Sequence, residues 1–279
     1  MDQVMTAATE MDALIPEIWS SAFYPTLKEK LPFISSVAED YDGEISALGD
    51  TVNIMGLPQF DVAEEITENQ AVSADAITVS KTQLVINKQI AKDYIITKKA
   101  LKQSMDAQLA LRDLALHSIL KKMQLVIIEA SVPSASSPDH AIAYDSGTTL
   151  ALADVLEAKE LLDTADVEEL GRQMILGAAQ SNDLFNVTGF VSKDFIPGSS
   201  PLTDGAITLP VLGFNVRSTT AAGNVAYLFH PLYLQMAVQQ APEVEVMSLG
   251  GEGKRATRVN MDVLMGVKLL SSIRIVTIS

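Results

Sequence analysis

Histidine is the side chain best suited to proton transfer and metal binding near neutral pH, and the chain has three: His117, His140 and His230. No two of them have the spacing of a metal pair. His117 falls in a helical stretch and reads as packed or solvated. His230 precedes Pro231 at a helix start and reads as a capping or packing residue. The chain contains no cysteine, which removes thiolate nucleophiles, disulfides and cysteine-bound zinc. Ser248–Arg255 (SLGGEGKR) has the glycine content of a phosphate loop, but Ser248 stands where that loop needs glycine and Arg255 where it needs Ser or Thr. No G-x-S-x-G elbow and no G-x-G-x-x-G after a strand is present. The adjacent carboxylates Glu64 and Glu65 have the chemistry of an acid/base pair, yet their flanks offer no apolar pocket to shift a pKa, so they read as solvated charge. No catalytic, cofactor-binding or metal-binding residue is assigned, and an enzyme is the remote alternative.

Charge narrows the possibilities further. The 279 residues carry a net charge of −15, the opposite of a protein that grips nucleic acid through its phosphates. The distribution is uneven. Residues 1–80 sum to −13, residues 81–124 to +6 and residues 125–279 to −8. An acidic first segment beside a basic second one suits a subunit that lies across its neighbour. No apolar run approaches the roughly 18–20 residues of a membrane span, and the N-terminus lacks the basic and apolar segments of a secretion signal.

The elements that must position these charges follow from periodicity. Residues 10–38 read as an arm, with Leu14, Ile15, Ile18, Trp19, Ala22 and Phe23 near helical spacing and Pro25 and Pro32 as stops. Gly49–Met55 (GDTVNIM) alternates like a strand after a turn signal. Thr82–Ile96 alternates for longer, with Leu84, Ile86, Ile90, Tyr94 and Ile96 on one face. At about 3.3 Å per residue a continuous run would extend roughly 50 Å, which predicts a two-stranded arm projecting from the body. Between the two lies Gly56–Ser80, with Asp61, Glu64, Glu65, Glu68 and Asp75 and no lysine or arginine.

Residues 97–131 read as one long helix, striped by Leu101, Met105, Leu109, Leu116, Leu120, Met123 and Ile127 and free of glycine and proline. Ser134–Thr149 reads as a linker. A mixed region follows, with a helix around Val155–Leu162, a buried strand at Arg172–Gly177, a helical turn at Asp183–Val187 and strands at Leu209–Val216 and Val225–Phe229. Pro231–Gln240 reads as a second amphipathic helix. Val244 and Val246 then alternate with Glu243 and Glu245, Gly250–Arg258 reads as a basic hairpin or loop, and Val263–Leu270 and Ile273–Ile278 read as strands.

This order resembles the Hong Kong 97-type major capsid protein of tailed phages. Local patterns are similar too. IWSSAF lies in the arm, GDTVNI enters the extended loop, and TQLVINKQIAKDYIITKKAL runs from loop to spine helix. ADVLEAKELLD followed by GRQMILG is similar to the start of the axial domain. FHPLYLQMAVQQAPEVEV and MGVKLLSSIRIVTI are similar to the closing stretch of the peripheral domain. The resemblance implies an α+β fold with an N-terminal arm at 1–42 and an extended β-hairpin loop at 43–96. It places a peripheral domain with the spine helix at 97–135, an axial domain at 136–240 and return strands of the peripheral domain at 241–279.

It also implies a structural role. Subunits form hexamers and pentamers of an icosahedral head, loops overlap neighbouring subunits, and the shell encloses double-stranded DNA without sequence-specific binding. The expected place is the virion, assembled in the host cytoplasm, with no cofactor and no membrane partner. Expected partners are further copies of the chain, a separate scaffolding protein, a portal and decoration proteins. Candidate intersubunit contacts are Trp19 and Phe23 in the arm, Asp61, Glu64, Glu65 and Glu68 in the loop, and Lys98, Lys99 and Lys102 at the helix start. An encapsulin, a bacterial compartment shell of the same fold, is the alternative. Some relatives join loops covalently through a loop lysine. Residues 56–80 have none, so shells of this chain should run as a single 30.0 kDa band on denaturing gels, and a ladder of its multiples would contradict this.

Overall fold

The computed structural model describes residues 29–39, 50–56, 63, 65, 66, 77, 79–99, 106–145, 147, 149–187, 212–252 and 255–279. Strands β1 (Thr51–Gly56) and β2 (Ser80–Val85) pair antiparallel, from Thr51 opposite Val85 to Gly56 opposite Ser80. This is the expected two-stranded finger. The alternating run does not continue as one strand. It breaks at Ile86–Asn87, and β3 (Lys88–Thr97) leaves the finger to pair with β9 (Ala256–Leu269), which in turn pairs with β8 (Leu234–Ser248). The single face expected for Leu84, Ile86, Ile90, Tyr94 and Ile96 does not hold across the break: Leu84 and Ile86 are buried with Ala237 in one small cluster, whereas Ile90 and Tyr94 join a different core with Val259 and Val263 of β9.

Helix α1 (Asp106–Ala130) lies against this three-stranded sheet. The expected helix spanned 97–131; Lys98 and Lys99 are already helical and residues 100–105 lie outside the described residues. Ala115, Ile119, Met123, Val126 and Ile127 recur at helical spacing and face inward. The helix ends where the Ser131 hydroxyl donates to the Ile127 carbonyl at 2.6 Å, just before Pro133.

A second, five-stranded sheet has the order β4-β10-β7-β5-β6. Its members are β4 (Ala141–Ile142), β5 (Arg172–Leu176), β6 (Phe214–Ser218), β7 (Ala226–Phe229) and β10 (Ile275–Ile278). Helices α2 (Leu152–Thr164) and α3 (Ala178–Phe185) accompany it. Consecutive residues of its strands enter different cores. Ile175, Tyr227, Phe229 and Ile275 join α1 and the three-stranded sheet in one core. Met174, Leu176, Leu228, Val276 and Ile278 join Val155, Ala158 and Leu162 of α2 in the other. The last strands therefore divide, with β9 in the three-stranded sheet and β10 in the five-stranded one.

The amphipathic helix expected at Pro231–Gln240 is absent. Pro231–Tyr233 make one 3-10 turn, and there the His230 side chain accepts the Leu232 N–H, as a cap. The chain then enters β8. Leu234, Met236 and Val238 satisfy a period of two as well as a helical one. Pairing with β9 decides between them by placing all three against the α1 core. Both faces of this part of the strand are covered, so Gln235 and Ala237 are buried as well. Pro242, which has no N–H to give, falls where the β8–β9 register shifts between Gln240 and Glu243.

The described residues of the stretch expected as an arm, from Phe33 to Ala38, are built into the body. Phe33 is fully buried, edge-on to Tyr227 with ring centroids 5.3 Å apart and stacked on Phe229 at 6.2 Å. Ala38 bridges the start of β8, and the Met236 N–H donates to its carbonyl at 3.0 Å. Phe33→Ala should lower unfolding stability by about 3–5 kcal/mol, read as a shift in the urea midpoint at unchanged slope.

Candidate assembly surfaces

Three exposed places stand out among the described residues. The first is the finger. Its root is buried, but Met55 is 76% exposed and Ile77 and Val79 are also open. The second is the outer half of β8. On the face toward α1, Tyr94, Val259 and Val246 stand in one cross-strand row and Lys92, Met261 and Val244 in the next. Val259 and Met261 are buried, while Val246, on the free edge strand, is 64% exposed. The buried row thus runs out into the open at the sheet edge. The opposite face is acidic there, with Glu243, Glu245 and Asp262. The third is the start of the long helical stretch. The Lys98 N–H donates to the Arg255 carbonyl at 2.9 Å, which sets Lys98 and Lys99 beside the β8–β9 turn. Lys98, Lys99 and Arg255 are all exposed and form a basic corner.

Of the residues singled out from the sequence, Glu65, Lys98 and Lys99 are described, and all are exposed. Trp19, Phe23, Asp61, Glu64, Glu68 and Lys102 lie outside the described residues. Arg255 was missed as a partner of Lys98. The two are far apart in sequence, and only the strand pairing Thr97 with Ala256 joins them. Val244 and Val246 were read correctly as alternating, but the alternation alone does not say that their row is left uncovered.

One contact between the acidic first segment and the basic second one is made within the chain. Glu29 Oε2 sits 2.6 Å from Lys121 Nζ on α1. Burial alone would raise the Glu29 pKa, but hydrogen bonds from Lys121 and Thr220 and the Lys121 charge outweigh it and hold the carboxyl below its ordinary value. Beside it, Thr219 Oγ1 donates to the Lys30 carbonyl at 2.9 Å, and buried Gln124 donates to Thr219 at 3.3 Å. Arg217 reaches Ser35 Oγ at 2.6 Å. In the second core, the guanidinium of buried Arg172 meets Asp163 at 2.6 Å and donates to the Glu168 carbonyl at 2.8 Å. Burial again opposes ionisation of Asp163, and hydrogen bonds from Lys159 and Arg172 prevail to lower its pKa.

Among the described residues, no group of three or more His, Asp or Glu is placed to hold a metal ion, and no helix is long and apolar enough to cross a membrane. An open groove of about 680 Å³ at the finger root is lined by Lys81, Gln83, Ser134 and Lys268, without a buried acid or base. His140 is buried as a structural residue, its Nδ1 3.2 Å from the Ile275 carbonyl oxygen. Among the described residues the arrangement suits contact between large surfaces.

A carboxylate whose pKa is lowered by folding stabilises the protein above its unfolded value, and that stabilisation is lost as pH falls through the folded value. For Glu29 the reference is 4.5. Protection of residues 29–38 against hydrogen exchange should therefore hold at neutral pH and fall under acid below that value. Lys121→Met should weaken the same protection already at pH 7; equal exchange in the two proteins would show that the ion pair does not hold the segment.

No family model and no curated protein sequence matches the chain. Solved structures do. A chain of Mycobacterium phage Che8 overlays with a TM-score of 0.74 at 20% identity, covering 95% of this chain and 97% of that one. The capsid of Cyanophage Pam1 gives 0.73 at 16% identity, with 99% and 98% covered. The mature capsid of bacteriophage PhiM1 gives 0.69 at 12% identity, with 100% and 96% covered. Likeness of this extent runs through the finger, the long helix and both sheets together, and the chain therefore has the Hong Kong 97-type fold of phage capsid subunits.

Proposed function

We propose that the chain is the major capsid protein of a tailed phage, a structural subunit that assembles with copies of itself into an icosahedral head around double-stranded DNA. One observation carries this reading: the overlay on phage capsid chains covers 99–100% of this chain and 96–98% of those chains. The three open surfaces support it, since an exposed finger, an unsealed sheet edge and a basic corner are features that further copies would cover. In this reading the finger is the extended loop of residues 43–96. The α1 region is the peripheral domain with its spine helix, and the five-stranded sheet is the core of the axial domain. The acidic loop residues Asp61, Glu64, Glu65 and Glu68 of one copy meet Lys98, Lys99 and Lys102 of the next, and Trp19 and Phe23 pack between copies. A net charge of −15 suits a container that holds DNA without gripping it. A scaffolding protein, a portal and decoration proteins complete the assembly, which takes place in the host cytoplasm and ends in the virion. The role is non-enzymatic.

Electron microscopy of the purified protein over a range of concentrations tests the proposal. Closed shells are expected. Reversing Lys98, Lys99 and Lys102 to glutamate should reduce their yield at least about tenfold, the effect of roughly 1.4 kcal/mol per contact, while leaving circular dichroism and the melting midpoint of the subunit in place. A wild-type protein that stays a single compact monomer throughout would overturn the reading.

A further inference from the structure

The finger root lies on the face of the three-stranded sheet opposite α1. Val263, Met265 and Val267 of β9 point toward α1, so Leu264 and Gly266 point the other way, as does Ala237, the cross-strand partner of Gly266. On that second face Ala237 and Leu264 pack with Val52, Ile54, Leu84 and Ile86 of the finger. This small cluster is separate from both main cores. Besides it, the finger root is held by the backbone link Ile86–Asn87 and by the Ile86 N–H, which donates to the Asp50 carbonyl at 2.7 Å.

The contact is closest over glycine. A Cβ on Gly266 would lie 2.4 Å from the Val85 carbonyl oxygen and 3.0 Å from the Ile86 Cα. Both are backbone atoms, so no rotamer change relieves the clash, and the root would have to lift by about 1 Å to restore ordinary contact. We infer that Ala237 and Gly266 form a saddle that sets the angle at which the finger leaves the body, and that Gly266 is a positioning residue for the overlap of one subunit on the next. The geometry stands by itself; its consequence for assembly rests on the capsid reading. Six extended residues span roughly 20 Å, so a small tilt at the saddle becomes a displacement of several ångströms at the far end of β1 and β2. A neighbour gripped there is displaced with it, and the curvature of the shell changes.

The chain's lack of cysteine makes the test direct. Exposed Met55 on the finger and exposed Glu157 on α2 are replaced by cysteine and spin-labelled, and the distance between labels is measured in the unassembled subunit. Gly266→Ala should shift the mean distance by several ångströms. Gly250→Ala, where a Cβ would meet nothing closer than Ser248 Oγ at 3.5 Å, should leave it unchanged. In assembled material Gly266→Ala should change particle diameter or leave open sheets, an effect that loss of stability alone does not produce. An unchanged distance distribution, or a lower yield of particles of unchanged diameter, would overturn the inference. Should Gly266→Ala not fold by circular dichroism, Ala237→Val thickens the same saddle from the neighbouring strand and is read in the same way. Failure of the wild type to assemble would sink the capsid reading and leave the distance comparison as the test of the saddle.

Discussion

A sheet buried on both faces has no polar side to turn toward water, and the rest of the molecule is arranged around that constraint. In the five-stranded sheet, Tyr227 and Phe229 enter one core while Ala226 and Leu228 enter the other. Each face therefore needs its own cover, and the polar residues Arg172, Gln173 and Thr277 of these strands are buried too. Helix α2 supplies one cover, and α1 with the three-stranded sheet supplies the other. Phe33, in the stretch expected as an arm, packs on Tyr227 and Phe229 and is a core residue. At about 25 cal/mol per Å² of apolar surface removed from water, two cores sharing one sheet hold the halves of the subunit in register without a linker between them.

The parts legible in the sequence were those where one local pattern pointed to one structure. GDTVNIM followed by a long alternating run marked the finger, and a stretch without glycine or proline marked the helix that includes α1. The apolar runs in RQMIL and AYLF marked buried strands, and their burial on both faces explains the lack of alternation. Legibility failed where two periods fitted the same residues. LQMAV satisfies helix and strand alike, and only its partner β9 resolves it. It failed again at Ile86–Asn87, where the alternation runs on although the strand changes partners and the apolar residues before and after the link enter different clusters. The corner of Lys98, Lys99 and Arg255 was half legible, since its lysines were visible as a charge run and its arginine reaches them only through tertiary pairing.

What the cores leave open is as ordered as what they close. The buried row that ends at Val246, the finger carrying Met55 and the basic corner are not scattered exposures. Each continues an element that is well packed at its other end. An exposed edge strand invites pairing with another chain, and here Pro242 and the register shift interrupt its ladder near the middle. The edge is thus blunted against indiscriminate pairing while its apolar row stays exposed.

Strand β10 carries a last consequence. It lies inside the five-stranded sheet, between β4 and β7, although more than forty residues, β8 and β9 among them, separate it from β7 along the chain. During vectorial synthesis on the ribosome, β5, β6 and β7 emerge well before the strand that completes their sheet. The nascent subunit cannot close either core until Ile275–Ile278 are free of the exit tunnel. A nascent chain from which Ile275–Ile278 have not yet emerged therefore lacks the finished body.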